Sequence, residues 1–205
     1  MLQGIENHDW EDIAVGRNPQ TGVSHILVGD IGDNNAVRKS VCIHRFPEPA
    51  IADTLITIAK TDRIEFTYED GARDAEALFH DSRTGDIYVV TKRENKSRVY
   101  RLAFPQSVSS PNVAKFVCAL PYNWVTAADL SPDGDRLLIK TYTNIYRYKR
   151  GKNMDIAATV CGKHKVLRYE PEQQGEAVAW DIKGKGYFTL SERIGEIPVE
   201  LYYYK

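Results

Sequence analysis

The strongest constraint on this chain is a repeat, in which three short segments recur four times in unchanged order. The first reads Trp10-Glu11-Asp12-Ile13-Ala14. It returns as Ala75-Glu76-Ala77-Leu78-Phe79, Ala127-Ala128-Asp129-Leu130-Ser131 and Gly175-Glu176-Ala177-Val178-Ala179. The second is Ile26-Leu27-Val28-Gly29-Asp30, matched by segments starting at Ile87, Leu137 and Tyr187. The third is Ile43-His44-Arg45, matched at Val99, Ile145 and Leu201. A repeat of about 50 residues means that one supersecondary unit is reused, and that it must stack on its neighbours to bury its faces.

The 12 tyrosines decide what that unit is. They cluster with Val, Ile, Thr and Phe in runs of four to seven residues, bounded by Pro, Gly, Asp and Asn, which is a strand pattern. Asp81 to Asp86 and Ser131 to Asp135 are turn sequences between the first and second strands of their units. A fourth strand is predicted after the third in three units: within Leu55 to Phe66, at Val113 to Leu120, and at Met154 to Cys161. Four-stranded antiparallel meanders of this length read as blades of a β-propeller, in preference to a sandwich or an open array. The expected fold is therefore all-β, a single propeller domain over residues 1–205, with blades at about 7–66, 74–120, 125–161 and 175–205. The last blade ends on its third strand, so residues 1–6 are predicted to close the ring as its outer strand and cover two edges. The alternative is a ring that lacks a blade, for which a second copy of the chain is an expected partner. At least two of Trp10, Trp124 and Trp180 are expected to be largely buried at blade contacts.

Charge excludes some functions. Lys and Arg total 27 against 28 Asp and Glu, a net charge of −1, so no overall positive field exists to hold a nucleic-acid backbone or an anionic membrane. No apolar run approaches the roughly 18 residues of a membrane span, and the first residues lack a signal-peptide pattern. A cytoplasmic location is expected from the sequence as written. Cys42, Cys118 and Cys161 match neither a zinc spacing nor a disulfide framework, so all three are read as buried thiols.

Several of these segments, namely Asp9-Trp10-Glu11-Asp12-Ile13-Ala14, Val28-Gly29-Asp30-Ile31-Gly32-Asp33-Asn34, Asp74-Ala75-Glu76-Ala77-Leu78, Thr91-Lys92-Arg93 and Gly175-Glu176-Ala177-Val178-Ala179, support a further comparison. Over about Asn7 to the C-terminus, the chain resembles a largely uncharacterised family of bacterial propeller proteins described as WD-repeat-like or esterase-like. The resemblance implies the propeller fold and, for many members, secretion. The family carries a further N-terminal blade with a His-Asn-Asp-Ser-Gly pattern that is absent here.

Antiparallel geometry puts the start of each innermost strand and the end of its neighbour at one face. Glu11, Glu76 and Glu176 are thereby expected at one channel end, with Asp30, Asp33, Asn34, Lys92, Arg93 and Glu192 around them. Such carboxylates are hard-oxygen ligands, so Glu11, Glu76, Glu176 and Asp30 are a candidate Ca²⁺ or Mg²⁺ site. The competing reading is structural: the glutamates bond backbone N–H groups of adjacent blades, and the Asp30 to Asn34 loop is a self-bonded turn. His44 aligns with tyrosines and is read as a packing residue, while His8 is the candidate general base near this face. No nucleophile elbow, phosphate loop or dinucleotide fingerprint occurs. Two functions follow as expectations. One is a binding or scaffold module that recognises a small molecule or protein through Asp30, Asp33, Asn34, Lys92, Arg93 and Glu192. The other is a Ca²⁺- or Mg²⁺-dependent hydrolase of an ester, lactone or phosphate.

Overall fold

The computed structural model describes residues 1–50 and 55–205. Strands form where the repeat places them. The first unit contains β1 (Trp10–Arg17), β2 (Ser24–Asp30), β3 (Val41–Pro47) and β4 (Asp62–Tyr68). The second contains β5 (Ala75–Asp81), β6 (Asp86–Thr91), β7 (Arg98–Leu102) and β8 (Asn112–Ala119). In the third, β9 (Val125–Leu130), β10 (Arg136–Thr141) and β11 (Ile145–Lys149) precede a short helix, α1 (Ile156–Val160), and β12 (His164–Leu167). The fourth has β13 (Gly175–Trp180), β14 (Tyr187–Ser191) and β15 (Tyr202–Tyr204). Each unit is an antiparallel meander, and the chain is an all-β propeller of four such blades.

Alternation along the strands builds the core, because successive side chains point to opposite faces. Ala14, Leu27, Ile43 and Ile64 of blade one meet Leu78, Ile87, Val89 and Tyr100 of blade two. Blade two turns Ala77, Phe79, Tyr88 and Val90 to Ala128, Leu137, Ile139 and Tyr148 of blade three. Ala127, Leu138 and Ile145 then pack on Val178 and Tyr187 of blade four. Each large side chain buried this way contributes roughly 1.5–3 kcal/mol. The innermost strands pack in succession, β1 on β5, β5 on β9 and β9 on β13; among the described residues no comparable packing joins β13 to β1. Side chains facing away from the core are accordingly exposed at the two terminal blades: Ile13 and Val15 on β1, Leu190 and Tyr203 on blade four.

Carboxylates stitch adjacent blades together. Asp12 accepts hydrogen bonds from the N–H of Leu78 at 2.8 Å and of Ala128 at 3.3 Å, and Asp129 accepts from that of Trp180 at 2.7 Å. The inter-blade role considered for the repeated glutamates thus belongs to Asp12 and Asp129. Asp81, at the other end of β5, is fully buried against Arg150 from beyond β11, with two contacts of 3.2 and 2.9 Å.

Five expectations are corrected. Residues 154–161 are not an outer strand: Asp155 caps α1 through the Ala158 N–H at 2.7 Å, two helix-favouring alanines follow, and β12 takes the outer position. In blade one the outer strand runs to Tyr68 rather than stopping at Phe66, and part of that blade's expected span, residues 51–54, lies outside the described residues. Residues 1–6 do not close the last blade; Leu2 bridges Ile58 in parallel, because the extended backbone there offers both N–H and C=O. Cys118 and Cys161 are not free thiols but a disulfide with Cα atoms 5.9 Å apart, leaving Cys42 as the buried thiol. β8 and the end of α1 bring those sulfurs together across 43 residues, a proximity that spacing along the chain does not reveal. None of the tryptophans is fully buried: Trp10 and Trp124 are exposed, and Trp180 is half-buried under Arg136, 4.8 Å from its ring.

Candidate functional site

Glu76 and Glu176 are the second residues of β5 and β13, while β6 ends next to Lys92. These termini converge on one end of the channel. The Lys92 ammonium donates to Glu76 Oε2, stands 3.7 Å from Glu176 Oε1 and lies 5.0 Å from the centre of the Tyr142 ring. The Tyr142 hydroxyl donates to Glu176 Oε1 at 2.7 Å. Burial opposes the charge on Lys92, yet its bonds to Glu76 and Tyr142 hold its pKa above the usual lysine value. An internal lysine therefore occupies the position between two of the three expected glutamates.

Glu11 is different. Burial, reinforced by Glu76 and Asp9, pushes its carboxyl up to about 8, and among the described residues no Lys or Arg nitrogen pairs with it. The backbone beside it is equally crowded. A Cβ on Gly32 would meet the Asp9 and Glu11 carboxyl groups, so glycine lets the β2–β3 loop approach both acids without moving them. Burial also raises Glu76, to about 7, with Lys92 pulling the other way. Acids this close share protons as a group and not as independent sites.

Next to this acid group, Arg93 donates to Asp74 Oδ2 at 2.5 Å and to Asn34 Oδ1, and its guanidinium lies 5.7 Å from the Trp124 ring. Asp74 also accepts from the Asp33 N–H at 2.9 Å. The Asp33 carboxylate itself caps its own loop, accepting from the N–H groups of Val37 and Arg38 at 3.0 and 2.8 Å. Seven of the expected residues thus have defined places at or beside the channel end: Glu11, Glu76, Glu176, Lys92, Arg93, Asn34 and Asp33.

Three do not join them. Asp30 turns to the outward face of blade one, where its carboxylate meets Arg38 at 2.8 Å and His8 Nδ1 at 3.2 Å; despite burial these contacts hold its pKa below the usual value. His8 therefore addresses Asp30 and not Glu11. Glu192 lines a separate cavity of about 350 Å³ formed with Glu170, Glu172 and Tyr202 of the last blade. Tyr142 and Trp124 are the site residues that the sequence reading missed. Trp124 precedes β9 and Tyr142 follows β10; the strand register puts Thr126, and not Ala128 as the repeat suggested, at the bulge position that holds Glu11, Glu76 and Glu176 in the other blades.

No protein-family model matches the chain, and no curated protein does. Solved structures do. A Pseudomonas aeruginosa periplasmic gluconolactonase aligns with 94% of this chain and 56% of its own, at 10% identity and a TM-score of 0.50. Kuenenia stuttgartiensis hydrazine synthase aligns with 98% of this chain and 48% of its own, at 13% identity and 0.50. A structure of the Dos1 propeller matches 87% of this chain and 40% of its own, at 10% identity and 0.47. The chain spans about half the length of these structures, and at such identities the likeness shows the fold alone. Among the described residues no helix is long and apolar enough to cross a membrane.

Proposed function

We propose that this propeller is a binding module whose acidic channel end takes a cationic group, the amine of a small molecule or a basic side chain of a protein. The observation that carries this reading is the Glu11 carboxyl, crowded by Asp9 and Glu76 and paired, among the described residues, with no Lys or Arg nitrogen. A bound cation supplies that missing charge, and the exposed Trp124 ring beside Arg93 offers an apolar wall. Calorimetric titration with a short alkyl diamine, in two buffers of different ionisation enthalpy, tests it. Binding should release protons, because the cation lowers the Glu11 pKa, and Glu11→Gln should abolish both heat and release.

The second reading keeps Ca²⁺ or Mg²⁺ at Glu11, Glu76 and Glu176 and makes the protein a hydrolase of an ester, lactone or phosphate. Glu11 favours it for the same reason, whereas Lys92 between Glu76 and Glu176 weighs against it. Under this reading Ca²⁺ raises the melting temperature, a chelator returns it, and turnover appears only with metal. Silence to diamine and metal alike removes the channel end as a site. A second copy of the chain stays a proposed partner, because apolar side chains on both terminal blades face solvent; sedimentation over a range of concentrations decides it.

A further inference from the structure

The outward face of blade one holds a cluster that the channel end does not use. Asp30 and Cys42 are cross-strand partners on β2 and β3, and His44 follows Cys42 by two residues, on the same face. All three are buried, and their ligating atoms lie within 4.8 Å of one another. Cys42 Sγ stands 3.5 Å from His44 Nε2, and Asp30 Oδ2 stands 3.2 Å from His8 Nδ1. Around a tetrahedral ion with bonds of about 2.0–2.3 Å, neighbouring ligand atoms are separated by roughly 3.3–3.8 Å. Two edges of such a tetrahedron are therefore nearly in place.

We infer that Asp30, Cys42 and His44, joined by His8, form a divalent metal site of the zinc type on this face. Thiolate, imidazole and carboxylate are the donor set that zinc accepts and that Ca²⁺ and Mg²⁺ do not favour. One thiolate and one carboxylate balance the charge of the ion. The surroundings agree with the assignment. Arg38 holds the other Asp30 oxygen at 2.8 Å, fixing the carboxylate as an outer-sphere partner does. His44 Nε2 is the ring nitrogen that faces Cys42 Sγ, and so the one in place to ligate. Propeller packing does not call for these residue types either. At the positions of Asp30, Cys42 and His44 the other blades carry Thr91, Thr141 and Ser191, then Arg98, Asn144 and Glu200, then Tyr100, Tyr146 and Tyr202. The cluster opens on a cavity of about 450 Å³, lined also by Arg63 and Lys39, which gives an ion an entry path.

The probe is Co²⁺, followed by competition with Zn²⁺, on the chelator-treated chain without reductant. Cys118 and Cys161 are then paired, so a thiolate-to-cobalt charge-transfer band reports Cys42 and no other residue. The expected result is that band together with the visible spectrum of tetrahedral Co²⁺, both erased by Zn²⁺. The charge-transfer band is lost in Cys42→Ser, and Zn²⁺ no longer raises the melting temperature of that variant. If Cys42→Ser fails to fold, His44→Gln and Asp30→Asn must remove the tetrahedral spectrum instead. Glu11→Gln should leave the Co²⁺ spectrum and its displacement by Zn²⁺ unchanged, which separates this site from the channel end. Absence of a thiolate band in the wild-type chain, or an octahedral Co²⁺ spectrum alone, overturns the inference.

Discussion

Strand β5 carries a buried ion pair at each end, and the two are built to different standards. At its last residue, Asp81 receives both terminal nitrogens of Arg150, the Arg83 N–H at 3.1 Å and the Thr84 hydroxyl at 3.4 Å, and neither member of the pair is exposed. At its second residue, Glu76 shares one lysine with Glu176 while Glu11 goes without, and both Glu76 and Glu11 are pushed towards the neutral form. The same strand supports both, but Asp81 reaches into blade three while Glu76 meets Lys92 of its own blade beside Glu176 of blade four. A fully satisfied buried pair locks two blades together. An under-satisfied group of acids stores an electrostatic demand that a ligand or a proton can meet.

The largest effect should come from the satisfied pair. Arg150→Ala strands the Asp81 carboxylate in the interior and is expected to cost about 3–5 kcal/mol in denaturant melts, with or without Ca²⁺ or diamine. Rescue by any of these cations would merge the two ends of β5 into one class. Lys92→Met comes next, at about 1–3 kcal/mol near pH 8. Its cost should shrink towards pH 5, since Glu76 and Glu11 can then take up protons in place of the lost ammonium. A pH-independent loss would mean that Lys92 acts by packing.

Glu11→Gln sharpens the comparison through pH. The folded carboxyl titrates near 8 and the unfolded one near 4.5, so between these values the native state holds the extra proton and wild-type stability falls as pH rises. The variant lacks this term and should gain on the wild type, by about 1 kcal/mol at pH 8 after allowance for solvent screening, and by nothing below pH 4.5. Parallel stability curves from pH 4 to 8 would contradict it. The smallest effect is that of Tyr142→Phe, which removes one hydrogen bond to Glu176 and should cost about 0.5–1.5 kcal/mol. A larger loss would assign the ring's hydroxyl to the core of the site.

The inner three strands of every blade were legible because alternation and repeat spacing are local signals. The outer strand of blade three was not. His164–Leu167 is short and lysine-bearing, and an Asp155-capped pair of alanines before it diverts the chain into a turn of helix. The channel end was half legible: antiparallel geometry locates Glu11, Glu76, Glu176 and Lys92, but which acid the lysine chooses depends on side-chain reach. Asp30 was placed on the wrong side of its sheet because its position at the strand end was weighed and its facing was not: β2 alternates regularly, sending Leu27 into the core and Asp30 to the other surface. The Cys42 and His44 spacing of two was visible, yet only cross-strand register brings Asp30 between them.

β4 and β8 pair in parallel, Phe66 opposite Asn112 and Tyr68 opposite Ala114, so the rims of blades one and two run into a single sheet of eight strands. The two blades are thus joined twice, by side chains near the axis and by backbone hydrogen bonds at the periphery. Neither can swing outward without breaking the other's ladder. They are expected to open as one cooperative unit, with amides that exchange through shared openings, while β15, held to β14 over three residues, should exchange on its own and much sooner.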